Sequence, residues 1–261
     1  AAAARAGADL LLTPELSLTG YDLRDAAAEL AVPVQVGAQF GSSELAAAGA
    51  VVVGLVEQGE AGPYNAAVHL RAGCVLFRHR KLYLPTYGMF DEGRFYARGD
   101  RLDAYELGGG WRAGLIICED FWHPALAYIL AGRGIHLLMV QAAAPGRGVW
   151  QGGEEGGRFA SWDAWERIAR TTAQLYGIYV ALANRVGIEE GVTFAGGSLI
   201  VGPAGDVLAR APAEGEATLA LDLSLDALAR ARRPYAHLRD DDPGFTLREL
   251  RRTLEAATDG G

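Results

Sequence analysis

The sequence predicts an α+β fold in which two sheets pack face to face with helices outside. Three observations carry this. Short apolar runs of β type recur along the chain with helical stretches between them. Two turn signals, Arg71-Ala72-Gly73 and Gly202-Pro203-Ala204-Gly205-Asp206, join neighbouring runs as hairpins, which a purely parallel sheet does not use. The runs are apolar throughout rather than alternating, so their strands are buried on both faces.

In chain order, residues 10–12 form an apolar run that ends in a polar turn. Residues 32–36 and 50–56 are apolar, β-branched runs. Residues 66–70 and 74–78 flank the first hairpin. Residues 111–118 read as a strand ending in Cys118, 124–132 as a helix and 136–140 as a strand. Helical periodicity spans 159–176, and 178–183 is a further strand. Residues 198–201 and 207–210 flank the second hairpin; 217–223 is the last strand and 225–232 the helix after it. No Gly-, Ser- or Pro-rich linker divides the chain, so residues 1–261 are expected to form a single domain. The Gly-rich residues 152–157 read as an active-site or surface loop. The opening Ala1-Ala2-Ala3-Ala4-Arg5-Ala6 reads as the end of a helix feeding the first strand, with an earlier strand expected before it.

Half of the 261 residues are hydrophobic, 21% are charged, and the formal net charge is −8. This is the composition of a globular protein, and it argues against a nucleic-acid surface. Arg230, Arg232 and Arg233 precede Asp240, Asp241 and Asp242, which reads as a solvated, charge-mixed region. No apolar run approaches the roughly 20 residues that span a bilayer. Two cysteines, Cys74 and Cys118, are too few for a disulfide framework, and a soluble, reduced, cytoplasmic protein is expected. No cluster has metal-ligand spacing and residues 152–157 are no phosphate cradle, so neither metal nor cofactor is expected.

Three segments stand apart. Thr13-Pro14-Glu15-Leu16-Ser17-Leu18-Thr19-Gly20-Tyr21 puts a carboxylate just past a buried strand, where active sites gather. Residues 79–96 hold dense charge and aromatic side chains in one loop-like stretch, including Lys81, Tyr87 and Glu92. Leu115-Ile116-Ile117-Cys118-Glu119-Asp120-Phe121-Trp122-His123-Pro124 places a thiol on a sharp turn between strand and helix, where the next N–H can face a developing oxyanion. Cys74, by contrast, reads as a small buried hydrophobe. A thiol is mostly protonated at neutral pH and needs a base or a cation. None of His69, His79, His123, His136 and His237 sits in an obvious Cys–His arrangement. Glu15 can take the proton instead, and Lys81 can lower the thiol pKa and neutralise the oxyanion.

Together these segments resemble the nitrilase, or carbon–nitrogen hydrolase, superfamily, marked by a Glu–Lys–Cys triad in this chain order. The resemblance runs from about Leu10 to Leu223. It includes Val180-Ala181-Leu182-Ala183-Asn184-Arg185-Val186-Gly187, Phe194-Ala195-Gly196-Gly197-Ser198 and Gly202-Pro203-Ala204-Gly205. It implies a four-layer α-β-β-α sandwich, with Glu15 as general base, Lys81 as oxyanion stabiliser and Cys118 as nucleophile. It implies that Glu92 orients the lysine, and that copies pair into a homodimer or higher homo-oligomer through helices near the nucleophile. Within the superfamily the motifs are most similar to the glutaminase domain of glutamine-dependent NAD synthetases. That likeness assigns Tyr87 and Glu119 to substrate binding. Trp122 and residues 146–150 are expected to help shape the pocket. Gln141-Ala142-Ala143-Ala144-Pro145 departs from that domain, which carries Ser-rich polar residues there, and no ATP-pyrophosphatase motif follows. The expected activity is hydrolysis of a small carboxamide or N-carbamoyl C–N bond through a thioester. An ammonia-supplying glutaminase subunit and a nitrilase proper remain as alternatives.

Overall fold

The computed structural model describes residues 7–41, 49–148, 150–151, 158–234 and 237–259. The first half of the chain builds one sheet. Strand β1 (Leu11–Leu12) precedes helix α1 (Ala26–Leu30) and strand β2 (Val32–Pro33); β3 (Ala50–Gly59), β4 (Gly62–Arg71) and β5 (Cys74–Arg80) then follow as an antiparallel meander. Both β1 and β2 lie parallel against β3, at Val51–Val52 and Glu57–Gln58 respectively.

After the short helix α2 (Glu92–Phe95), the chain forms β6 (Ala104–Gly108) and β7 (Trp111–Ile117). A 3-10 turn (Cys118–Trp122), helix α3 (Pro124–Gly132) and β8 (Leu137–Ala142) come next. Then come β9 (Trp150–Gln151), β10 (Arg158–Phe159), helix α4 (Ala160–Tyr176) and β11 (Tyr179–Asn184). A hairpin of β12 (Val186–Glu189) and β13 (Val192–Ala195) leads to β14 (Leu199–Val201), β15 (Val207–Arg210) and helices α5 (Leu225–Arg232) and α6 (Pro243–Asp259). The second sheet has the order β15-β14-β11-β8-β7-β6, parallel at β7-β8-β11 and antiparallel elsewhere.

Period-two alternation sorts the first sheet's side chains. Val52 and Ala67 join the core shared with the second sheet, while Val51, Val53, Leu55, Ala66, Val68 and Leu70 form a separate cluster on the opposite face. Trp162, Trp165, Ala169 and Ala173 of α4 pack into the main core, against the second sheet. The result is the expected α+β sandwich of sheet on sheet. Gln141, at the end of β8, donates from Nε2 to Thr13 O at 2.8 Å and to Val52 O at 3.3 Å, tying the two sheets together beside the 13–21 segment.

Several expectations change. The run 32–36 is a strand only at Val32–Pro33, because Pro33 carries no N–H to extend a ladder. Residues 217–223 form no strand: they pair with no strand edge among the described residues, and Leu219, Leu221 and Leu223 instead line a groove that Leu10 and Leu12 also line. The β3–β4 hairpin, β6, β12–β13 and α6 are additional to the elements that the sequence predicts. Arg232 is not simply solvated, since its Nε donates to Gly177 O at 2.8 Å and its Nη2 to Ile135 O at 2.9 Å, which anchors α5. Residues 1–6 and 152–157 lie outside the described residues. Among the described residues no helix is long and apolar enough to cross a membrane.

Candidate active site

Each of the three predicted chemical groups sits just beyond the end of a strand, Lys81 and Cys118 by one residue and Glu15 by three. Past β1, Thr13 N–H still bonds Val52 O at 3.1 Å, and the chain then turns across β3, where Leu18 N–H reaches Gly54 O at 3.0 Å. Leu16 takes φ +48°, a left-handed conformation uncommon for a non-glycine residue. The crossing requires Gly54, since a Cβ there would stand 2.3 Å from Leu16 N. That close approach turns Glu15 inward, where it is fully buried. Lys81 follows β5, held by its N–H to Asn65 O at 2.8 Å. Cys118 follows β7 at φ +45° and opens the 3-10 turn. Such strain persists where the surroundings over-determine it, and it concentrates at functional sites.

The side chains converge between the sheets. Lys81 Nζ lies 2.7 Å from Glu15 Oε1 and 2.8 Å from the Glu92 carboxylate. Glu15 also accepts from Asn65 Nδ2 at 2.8 Å and, on Oε2, from Ala143 N–H at 2.9 Å. Tyr21 donates its hydroxyl to Glu92 Oε1 at 2.8 Å. Burial works against the Lys81 ammonium, but the charges of Glu15 and Glu92 outweigh it and hold its pKa well above the usual lysine value. Burial pushes the Glu92 carboxyl upward against the pull of Lys81. Burial also drives the Cys118 thiol well up; Glu15 adds to the rise, while Lys81 and the Ala143 N–H oppose it. Lys81 does pull the thiol pKa down, as expected. Desolvation and Glu15 outweigh it, and the resting group is a thiol.

Asp120 fixes the turn. It is fully buried and accepts from Leu82 N–H and Tyr83 N–H on Oδ1, both at 2.9 Å, and from Ile117 N–H at 3.1 Å on Oδ2; His79 Nε2 lies 2.9 Å from that same oxygen. One carboxylate thus joins the residues around Lys81 to those around Cys118. Local pattern did not reveal Asp120, Asn65, Tyr21 or the Ala143 N–H as parts of the site. The signal available was a carboxylate directly after Cys118-Glu119.

Tyr87 donates its hydroxyl to Glu119 Oε2 at 2.7 Å, and burial followed by that bond pushes the phenol up to about 12. The two predicted substrate-binding residues are thus a pair. Trp122 does not join them: it is 41% exposed and meets Trp165 edge-on at 5.4 Å. His123 stacks on Tyr83, centroids 3.4 Å apart, and lies 3.8 Å from Glu119. Of residues 146–150, Arg147 places its guanidinium 5.1 Å over the Phe90 ring; Val149 and the Trp150 side chain lie outside the described residues.

A family model for carbon–nitrogen hydrolases matches residues 1–233. The chain belongs to the carbon–nitrogen hydrolase family. It is 31% identical over 228 residues to the glutamine-dependent NAD(+) synthetase of Thermotoga maritima, which covers 84% of this chain; the chain spans only 37% of that relative's length. It is 30% identical over 240 residues to an (R)-stereoselective amidase of a Pseudomonas species, covering 89% of this chain and 79% of the amidase. An amidase from Nesterenkonia sp. AN1, solved as a mutant with acrylamide added at its active-site cysteine, superposes with a TM-score of 0.67 at 28% identity, covering 90% of this chain and 87% of that one. This carbon–nitrogen hydrolase is thus an enzyme of a family with amidase members, and its Glu–Lys–Cys set is the arrangement typical of that family.

Proposed function

We propose that this carbon–nitrogen hydrolase cleaves a small non-peptide carboxamide or N-carbamoyl C–N bond through a thioester on Cys118. The observation that supports this reading is the buried chain Glu15–Lys81–Glu92, whose charges reach the Cys118 thiol. Because Cys118 rests protonated, Glu15 takes its proton as Sγ attacks the carbonyl carbon. Lys81 Nζ and the Glu119 N–H then face the oxyanion; the first amides of a helical turn have no acceptor within it. One such contact is worth on the order of 3 kcal/mol. The protonated Glu15 passes its proton to the leaving nitrogen, ammonia departs, and the Cys118 thioester remains. Glu15 next removes a proton from water, which attacks the thioester and releases the acid and the thiol. Glu92 keeps Lys81 charged and in place throughout.

A second reading, favoured by the NAD synthetase relative and by the Tyr87–Glu119 pair, is release of ammonia from glutamine for a synthetase. Ammonia release from ω-amides, glutamine, N-carbamoyl compounds and nitriles tests both. Turnover of glutamine alone selects the second reading, and turnover of nitriles alone overturns both. A thioester trapped on the Cys118 peptide by rapid acid quench and seen by mass supports the mechanism. A second copy is proposed to pack on α3, α4 and the 3-10 turn before α3, where Ile129, Leu175 and Trp122 are exposed apolar side chains. Sedimentation of the purified chain as a monomer at micromolar concentration would remove that part. A reducing, cytoplasmic setting suits a mechanism that needs a free thiol.

A further inference from the structure

The β12–β13 hairpin supplies no group to the chemistry above, yet it is bonded to both flanks of the site. On one flank, Ala195 N–H donates to Ala144 O at 2.9 Å and Gly146 N–H donates to Thr193 O at 2.8 Å, directly after Ala143, whose N–H holds Glu15. On the other, Glu189 Oε1 accepts from Tyr21 N–H at 2.7 Å and from Asp22 N–H at 3.0 Å. Arg185 Nη2 sits 2.8 Å from Glu189 Oε2, and the Arg185 guanidinium lies 5.4 Å over Phe194, whose ring meets Tyr21 edge-on at 5.6 Å. Gly20, at φ +91°, admits this carboxylate: a Cβ there would stand 3.2 Å from Glu189 Oε1.

The Tyr21 backbone is thereby clamped at one end while its hydroxyl meets Glu92 at the other. We propose that Glu189 is a positioning residue for the Lys81–Glu92 pair: by holding the backbone of Tyr21 it aims that hydroxyl at Glu92 and keeps Glu92 ionised opposite Lys81. Two adjacent N–H groups on one carboxylate oxygen are charge-assisted bonds, strong enough to fix a loop. Burial favours the neutral Glu92, and the Tyr21 hydroxyl is one of the groups opposing it. Loss of that bond neutralises Glu92 at a higher pH and leaves Lys81 with one carboxylate instead of two.

This rests on the Glu15–Lys81–Cys118 reading, so the test uses two readouts. One is the pH profile of kcat for ammonia release. The other is the pH profile of alkylation by iodoacetamide, followed by mass on the Cys118 peptide, which needs no substrate. Glu189→Ala is expected to lower kcat roughly ten-fold with KM little changed, and to move the acid-side inflection of both profiles to higher pH. Glu189→Gln, still able to accept from both N–H groups, restores most of the rate. In a Tyr21→Phe background, Glu189→Ala is expected to cost less than about two-fold more, because the path through the hydroxyl is already gone. An equal loss in both backgrounds, or profiles that keep their inflections, overturns the proposal. If Glu189→Ala does not fold, Glu189→Asp, one methylene shorter, is expected to give the same shift. Failure of ammonia release by the unaltered chain would strike the amidase reading alone, since the alkylation profiles still decide the role of Glu189.

Discussion

Glu57 and Glu15 are both fully buried carboxylates associated with the first sheet, and they are held in opposite ways. Glu57 shares the β3 face of Val51, Val53 and Leu55, turned away from the second sheet. It meets Arg80 as a fork, Nε to Oε2 and Nη2 to Oε1 at 2.8 Å each, and Arg78 also bonds it. Both arginine side chains are partly exposed, at 34% and 21%, so the surplus positive charge faces water. Glu15 faces the other way. It takes three single bonds from three separate elements, and its one cation is fully buried and shared with Glu92. Nearby, Asn65 Oδ1 has no hydrogen-bond partner among the described residues. A planar fork that satisfies its acid holds structure together. Two acids dividing one ammonium beside a thiol leave charge unsettled, and that unsettled charge is what proton transfer uses.

Breaking the nucleophile gives the largest effect. Cys118→Ala is expected to reduce ammonia release by roughly 10³-fold or more, with the thermal midpoint nearly unchanged; retained turnover would end the assignment. Lys81→Met is expected next, with a loss of about 10²-fold to 10³-fold in kcat and a stability loss of about 3–5 kcal/mol, because Glu15 and Glu92 are left buried without their cation. Urea melts beside rate assays check both halves. Glu57→Gln is expected to separate the two clusters: about 3 kcal/mol of stability lost as two arginines lose their anion, with kcat unaltered well below the melting temperature. If Glu57→Gln damages kcat as Lys81→Met does, the contrast between the clusters fails.

The smallest effect comes from a buried imidazole that packs on the Tyr105 ring. His69 is fully buried between the sheets, neither ring nitrogen has a hydrogen-bond partner among the described residues, and burial pushes it down to about 4. Its folded pKa lies below that of the unfolded chain, so the unfolded state takes up the proton first as pH falls. The stability contribution is complete above about pH 6.5 and is lost as pH falls toward 4. Thermal midpoints recorded across that window should drop for the wild type and fall less steeply for His69→Leu.

Much of this molecule could be read from local pattern. Apolar runs gave the central strands, the 71–73 and 202–206 turns gave two hairpins, and helix α3 falls on the expected residues. Glu15, Lys81, Glu92 and Cys118 do converge. The supporting groups were hidden because their partners are distant in the chain. Asn65 is a polar residue in mid-strand, 50 positions from Glu15, and the Ala143 N–H is 128 positions away with no side chain to advertise it. The β3–β4 turn was missed although Gly59, Gly62 and Pro63 mark it. The run 217–223 misled because its apolar residues suit a strand, while pairing also needs a free edge in register.

Asp120 carries a consequence for manufacture rather than for chemistry. In any assembled device, the misplacement of two parts grows with the number of joints between them. Counted through the two sheets, the route from Lys81 to Cys118 crosses many side-chain contacts, each with its own slack. Through Asp120 it crosses one rigid carboxylate, bonded to Leu82 and Tyr83 on one side and to Ile117 on the other. Asp120 therefore gives the neighbours of Lys81 and of Cys118 a direct brace, in addition to the longer path through the sheets that carry them.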